Sequence, residues 1–79
     1  MKYSEMKPVN LSAQVGPIIR AELARRGLTQ AALAQHLGIS AAGVSDRLRG
    51  VTPWDVNELH TVAQVFDLPM RDLLPESAA

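Results

Sequence analysis

The stretch that most constrains this chain runs from Thr29 to Gly50, TQAALAQHLGISAAGVSDRLRG. It reads as two short helices joined by a tight corner. Leu33, Ala34 and Leu37 stand at i, i+1 and i+4, which sets them on one helical face. Gly38 then breaks the pattern and supplies the left-handed backbone that glycine adopts most cheaply. Ile39 puts an apolar side chain in the corner itself. Ser40 is suited to cap the second helix by accepting from an orphan N–H two or three residues on. Val44 and Leu48, i and i+4 on that helix, face inward. The other face carries Ala41, Ala42, Ser45, Asp46 and Arg49, all short or polar, and Gly50 closes the unit.

Periodicity alone fits an ordinary α-hairpin in a helical bundle just as well. Four coincident features narrow it: Gln30 opens the first helix, small Ala34 sits where a second helix must cross, Gly38 forms the corner, and Val44 locks the second helix. This spacing resembles the helix-turn-helix of lambda repressor and Cro-like DNA-binding domains. The likeness continues through Ile19-Arg20 and Gly27-Leu28-Thr29-Gln30 before the motif and Asp72-Leu73-Leu74 after it. One departure stands out. The family usually carries an aliphatic residue where this chain has Arg47, and here the next aliphatic is Leu48, as in a slightly rotated helix.

The resemblance implies an all-α fold, a compact four- to five-helix lambda repressor-like bundle over residues 12–75, with an N-terminal arm at 1–11 and a tail at 76–79. It implies a sequence-specific double-stranded DNA-binding transcriptional regulator of the phage repressor, Cro or antitoxin kind. In that docking a recognition helix of about 41–49 enters the major groove, its first residues nearest the base edges. Carried over by residue, Gln30 reaches phosphate or an adjoining side chain, while Ala41, Ala42, Ser45 and Asp46 face bases. Arg47, Arg49 and Thr52 meet phosphates, and Thr29 and Ser40 complete the set. That readout is chemically lean: alanines offer only apolar contact to thymine methyls, and Asp46 can accept from a cytosine amine. The family's usual long polar reader is missing at Ala41, which shifts weight to DNA shape and deformability. A homodimer on DNA is the expected assembly and the cytoplasm, on nucleoid or host DNA, the expected location.

Net charge is zero, which by itself argues against a nucleic-acid partner. Its distribution argues the other way. Up to Gly50 seven basic residues (Lys2, Lys7, Arg20, Arg25, Arg26, Arg47 and Arg49) face three acids, a net +4; from Val51 on, Arg71 faces five acids, a net −4. A polarised field of this kind orients a neutral protein on a polyanion. The alternative is an interaction module on the same fold, such as an antitoxin or a phage inhibitor of a host factor, which the neutral charge and the two alanines favour. With no cysteine there is neither a disulfide framework nor a thiolate metal site. No apolar run approaches the roughly 18 residues of a membrane span, and no signal-like apolar stretch follows Lys2. His36 and His60 lie on separate helices without metal-ligand spacing, and the serines lack an adjacent base, so no catalytic set, metal, cofactor or small-molecule substrate is expected.

Around the motif, the first helix is expected from Gly16 or Pro17 to Arg26, because proline favours the first helical position; Ser12 is the competing cap, at the cost of Pro17 inside the helix. Ile18 or Ile19 with Leu23 supplies its buried stripe, and Arg25 and Arg26 complement the helix dipole. Thr52, Pro53 and Asp55 suggest a cap, first turn and capping box for a helix reaching Phe66, with Val56, Leu59, Val62, Ala63 and Phe66 inward. Trp54 is read as a packed lid rather than a base-stacking platform. Pro69 restarts a short helix over Met70 to Leu74, where Met70 and any exposed leucine are the expected dimer contact.

Overall fold

The computed structural model describes residues 11–75. The expected arm with Lys2 and Lys7 (apart from Leu11) and the tail at 76–79 lie outside the described residues. Four helices follow in order: α1, Leu11–Arg26; α2, Gln30–Leu37; α3, Ala41–Leu48; and α4, Val56–Phe66; a 3₁₀ turn, Met70–Leu73, ends the described chain. The fold is all-α, as the sequence implies. α2 packs on α3 and α4, α1 on α3 and the 3₁₀ turn, and the turn on α4.

The helix-turn-helix forms where the sequence places it. Thr29 Oγ1 accepts from the Ala32 N–H at 3.0 Å and caps α2. Gly38 takes the left-handed corner at φ 70°, and Ile39 N–H returns to the Ala34 carbonyl at 3.1 Å. Ser40 Oγ then accepts from Gly43 N–H at 2.9 Å, capping α3. Leu33, Ala34, Val44 and Leu48 are buried in one core with Val15, Ile19, Leu23, Trp54, Leu59, Val62, Ala63, Phe66 and Leu73, and Leu37 and Ile39 pack against it.

α1 departs from expectation. It is already helical at Leu11, the first described residue and at least five residues ahead of the expected start, and it holds Pro17 inside. Two contacts made by its first turns explain why the helix bears this break. Ser12 does not cap: its Oγ accepts the backbone N–H of Trp54 at 2.6 Å, tying α1 to the loop before α4. Gly16 lies so close to the end of α3 that a methyl group built on it would sit 2.2 Å from the Leu48 carbonyl oxygen. Helical backbone without a side chain is required there, and the close crossing with Val15 and Ile19 buried around it outweighs the local cost of Pro17.

α4 differs in its start. The capping box is real but one turn later than Thr52 suggests: Asp55 accepts from Glu58 N–H at 2.7 Å, and Glu58 Oε1 accepts from Asp55 N–H at 3.1 Å. Pro53 therefore stays in the loop. Val56 becomes the first helical residue and is 70% exposed rather than inward, whereas Leu59, Val62, Ala63 and Phe66 are buried as expected. Trp54 is buried in the core, which leaves no face for base stacking; its indole Nε1 has no hydrogen-bond partner among the described residues. Leu73 is fully buried, while Leu74 is 41% exposed and does not complete the core.

Candidate nucleic-acid interface

The open face of α3 is set by which residues its core stripe consumes. With Val44 and Leu48 buried, helical geometry of 100° per residue turns Ala42, Asp46 and Arg49 outward, Ala41 and Ser45 to one flank, and Arg47 to the other. Ala41, Ala42 and Arg49 are exposed, and Ser45 and Asp46 half-exposed. Gln30, at the first position of α2, is exposed as well. Thr29 and Ser40 are exposed but employed, since each hydroxyl caps its own helix.

The charged members of the set are less free than their sequence positions suggest. Arg49 pairs with Asp46 at 2.5 Å, both side chains substantially exposed, as an i,i+3 pair on the open face. Exposed pairs of this kind are worth about 0–1 kcal/mol, so either partner is easily recruited by a stronger charge. Independently of that pair, the Asp46 backbone carbonyl accepts from Val51 N–H at 2.8 Å and Thr52 N–H at 3.3 Å, which folds the chain back after α3 and holds Thr52 beside the helix end.

Arg47, expected at a phosphate, is turned toward α4 within the chain. Its Nε and one terminal nitrogen donate to the two carboxylate oxygens of Glu58, each at 3.0 Å, and the other terminal nitrogen donates to the Gly43 carbonyl at 3.0 Å. The two side chains are only 18% and 15% exposed. The hydrogen-bonded Glu58 carboxylate raises the arginine's already high pKa, so this guanidinium stays charged. The position on the flank of α3 was legible from the wheel. Its acceptor was not, because Glu58 belongs to the next helix and meets Arg47 only after α3 and α4 have packed.

The basic end of α1 is also internally committed. Arg25 and Arg26 both pair with Glu22, whose residue exposure is only 8%. Arg26 further donates to the Phe66 carbonyl at 2.9 Å and lies over the Phe66 ring, 4.7 Å from its centroid. It thus joins the last turns of α1 and α4, a task beyond complementing the α1 dipole. Sequence reasoning passed over Glu22; its i+3 and i+4 spacing to two arginines was the signal available. Arg20 and Arg71 carry exposed guanidiniums outside any ion pair among the described residues.

His36 and His60 are both exposed and on different helices. Among the described residues no three His, Asp or Glu gather as a metal site, and no helix is long and apolar enough to cross a membrane.

Two solved structures share this arrangement. One is the restriction-modification controller protein C.AhdI from Aeromonas hydrophila, 24% identical over 77% of this chain and 88% of that one, with a TM-score of 0.70. The other is the DNA-binding domain of BldD, 24% identical over 87% of this chain and 100% of that one, with a TM-score of 0.71. At such identity the likeness shows the fold. No curated protein matches the chain in sequence. The family model described as BetR domain matches residues 13–79, a span that takes in the helix-turn-helix and all but the first turn's opening residues of the packed helices, and the chain therefore belongs to the BetR domain family.

Proposed function

We propose that this protein is a sequence-specific double-stranded DNA-binding transcriptional regulator, of the lambda repressor and Cro kind, that places α3 in the major groove. The observation that carries the reading is the capped, eight-residue α3, held at a tight Gly38 corner with its short side chains outward. A face built from Ala41, Ala42 and Ser45 allows close approach to base edges, where larger side chains would hold the helix away. Two proteins of the same fold, one described as a controller of restriction-modification and one as a DNA-binding domain, support the reading.

In this docking Ala41 and Ala42 meet thymine methyls, Ser45 is permissive, and Asp46 accepts from a cytosine amine. Arg49 exchanges Asp46 for a phosphate, and Gln30 and Thr52 reach the backbone from the start of α2 and the end of α3. With so few donors aimed at bases, sequence-dependent shape supplies much of the selectivity. Exposed Leu74, with half-buried Met70 beside it at the end of the bundle, pairs two copies so that half-sites lie about 10 base pairs apart. The setting is the cytoplasm, where the DNA is, and the protein works without cofactor.

The test is selection of duplexes from a random pool, followed by titration of the enriched and a scrambled duplex at several salt concentrations. The expected result is an inverted repeat, tighter binding to it than to the scramble, and a logarithmic salt slope of about −0.9 per phosphate neutralised. No enrichment together with salt-independent or absent binding would refute the reading and point to a protein partner on the same face.

A further inference from the structure

We propose that Arg47 and Glu58 form a positioning pair that fixes the rotation of α3 about its own axis, and that neither residue touches the duplex. The inference rests on the DNA-binding reading and concerns how that reading's recognition surface is held. Three donors of the Arg47 guanidinium are in use at once: two in a fork on Glu58 and one on the Gly43 carbonyl, all at 3.0 Å. Glu58 Oε1 is itself shared with the Asp55 N–H of the α4 capping box at 3.1 Å. The path therefore runs from the first turn of α3, through Arg47 and Glu58, to the start of α4.

An aliphatic residue at this place would fill space but would tolerate small rotations of the helix. A planar fork on a carboxylate admits essentially one geometry, because both N–H···O bonds must stay aligned. Gly43 contributes by its lack of a side chain: a methyl there would stand 3.3 Å from the Arg47 terminal nitrogen that reaches the carbonyl. α3 has only eight residues, so little of its own length resists turning. A modest rotation exchanges the small outward residues for their neighbours, since successive side chains are 100° apart. Bringing Arg47 to a phosphate would first break the fork and the Gly43 bond.

Two variants separate the alternatives. Glu58→Gln removes the carboxylate charge and one acceptor; Arg47→Lys keeps the positive charge but loses the fork. Each is checked by thermal unfolding to be folded at the assay temperature. The probes are a duplex enriched by the wild-type protein from a random pool and a scrambled duplex of the same composition. The inference expects both variants to lose about tenfold or more in the ratio of enriched to scrambled affinity, the scale of one lost base contact, with the salt slope unchanged. It also expects the Arg47 Nε proton of the free wild-type protein to exchange with water far more slowly than that of Arg20. A slope steeper by about 0.9 in Glu58→Gln, with every sequence bound more tightly, would mean that Arg47 is a phosphate contact restrained by Glu58, and would overturn the inference. So would full specificity in Arg47→Lys, or an Arg47 Nε proton exchanging as fast as that of Arg20. If the wild-type protein enriches no duplex, the DNA-binding reading falls and takes this inference with it; enrichment by the wild type with an unchanged ratio in both variants overturns this inference alone.

Discussion

Replacing Gly16 with alanine reverses the usual sign of a helical glycine substitution. In an unobstructed helix interior, Gly→Ala stabilises by roughly 0.5–1 kcal/mol, because alanine loses less backbone entropy on folding. At Gly16 the new methyl would lie 2.2 Å from the Leu48 carbonyl oxygen and 3.0 Å from its carbonyl carbon. Ordinary contact between such atoms is about 3.4 Å or more, so α1 and the end of α3 would have to separate by about 1 Å. Both neighbours are backbone and cannot turn aside as a side chain would. Overpacking of this kind costs about 1–3 kcal/mol, sometimes more, and it outweighs the propensity gain. The expected net loss is about 1–2 kcal/mol, which for a domain of this size lowers Tm by about 4–15 °C. Gly43→Ala is the internal control. Its methyl meets side-chain atoms and no backbone, Arg47 and Ser40 each at 3.3 Å and Ile39 at 3.5 Å, so it should change stability by less than about 1 kcal/mol. Both are measured by urea unfolding at one temperature and by thermal melts. Equal stability of Gly16→Ala and wild type, or a gain in Gly16→Ala as large as a free helix site gives, would refute the close crossing of α1 over α3.

Three further outcomes follow from the geometry of α3. Val44→Ala empties a fully buried position and should cost about 2–3 kcal/mol in urea unfolding, with DNA affinity lost only in proportion to unfolded protein. Arg49→Ala should leave Tm within a degree or two, because its exposed pair with Asp46 carries little stability, yet it should weaken binding to all duplexes alike and flatten the salt slope by about 0.9. Asp46→Ala should raise non-specific affinity by removing an acid near phosphate, and in a selection profile should also relax preference at one base pair, by about 1–3 kcal/mol; tighter binding to every duplex with an unchanged profile would make Asp46 a repulsive rim charge and not a reader.

The helix-turn-helix was legible because each of its parts is a local decision. Thr29 and Ser40 cap within three residues, Gly38 turns the chain by its own backbone freedom, and Leu33, Ala34, Val44 and Leu48 share a face through i+4 spacing. None of these needs a distant partner to be specified. The outward set of Ala41, Ala42, Ser45, Asp46 and Arg49 follows from the same wheel, as the residues the core leaves over. What lay beyond the sequence was every feature in which one helix answers another. α1 runs through Pro17 because Ser12 and Gly16, ahead of it, meet Trp54 and Leu48, 42 and 32 residues away in the chain. α4 starts at Val56 because Asp55 and Glu58 close their box at the same place where Glu58 receives Arg47 from α3. Arg26 reads locally as a cation at a helix end and Arg47, by resemblance, as a phosphate contact; packing gives them acceptors at Phe66 and Glu58 and makes both interhelical ties. Local spacing determines which residues face out, since it depends only on helical pitch. Which of the outward charges remain available to a ligand is decided by tertiary structure, because a guanidinium goes to the nearest carboxylate or carbonyl that the packed chain brings to it.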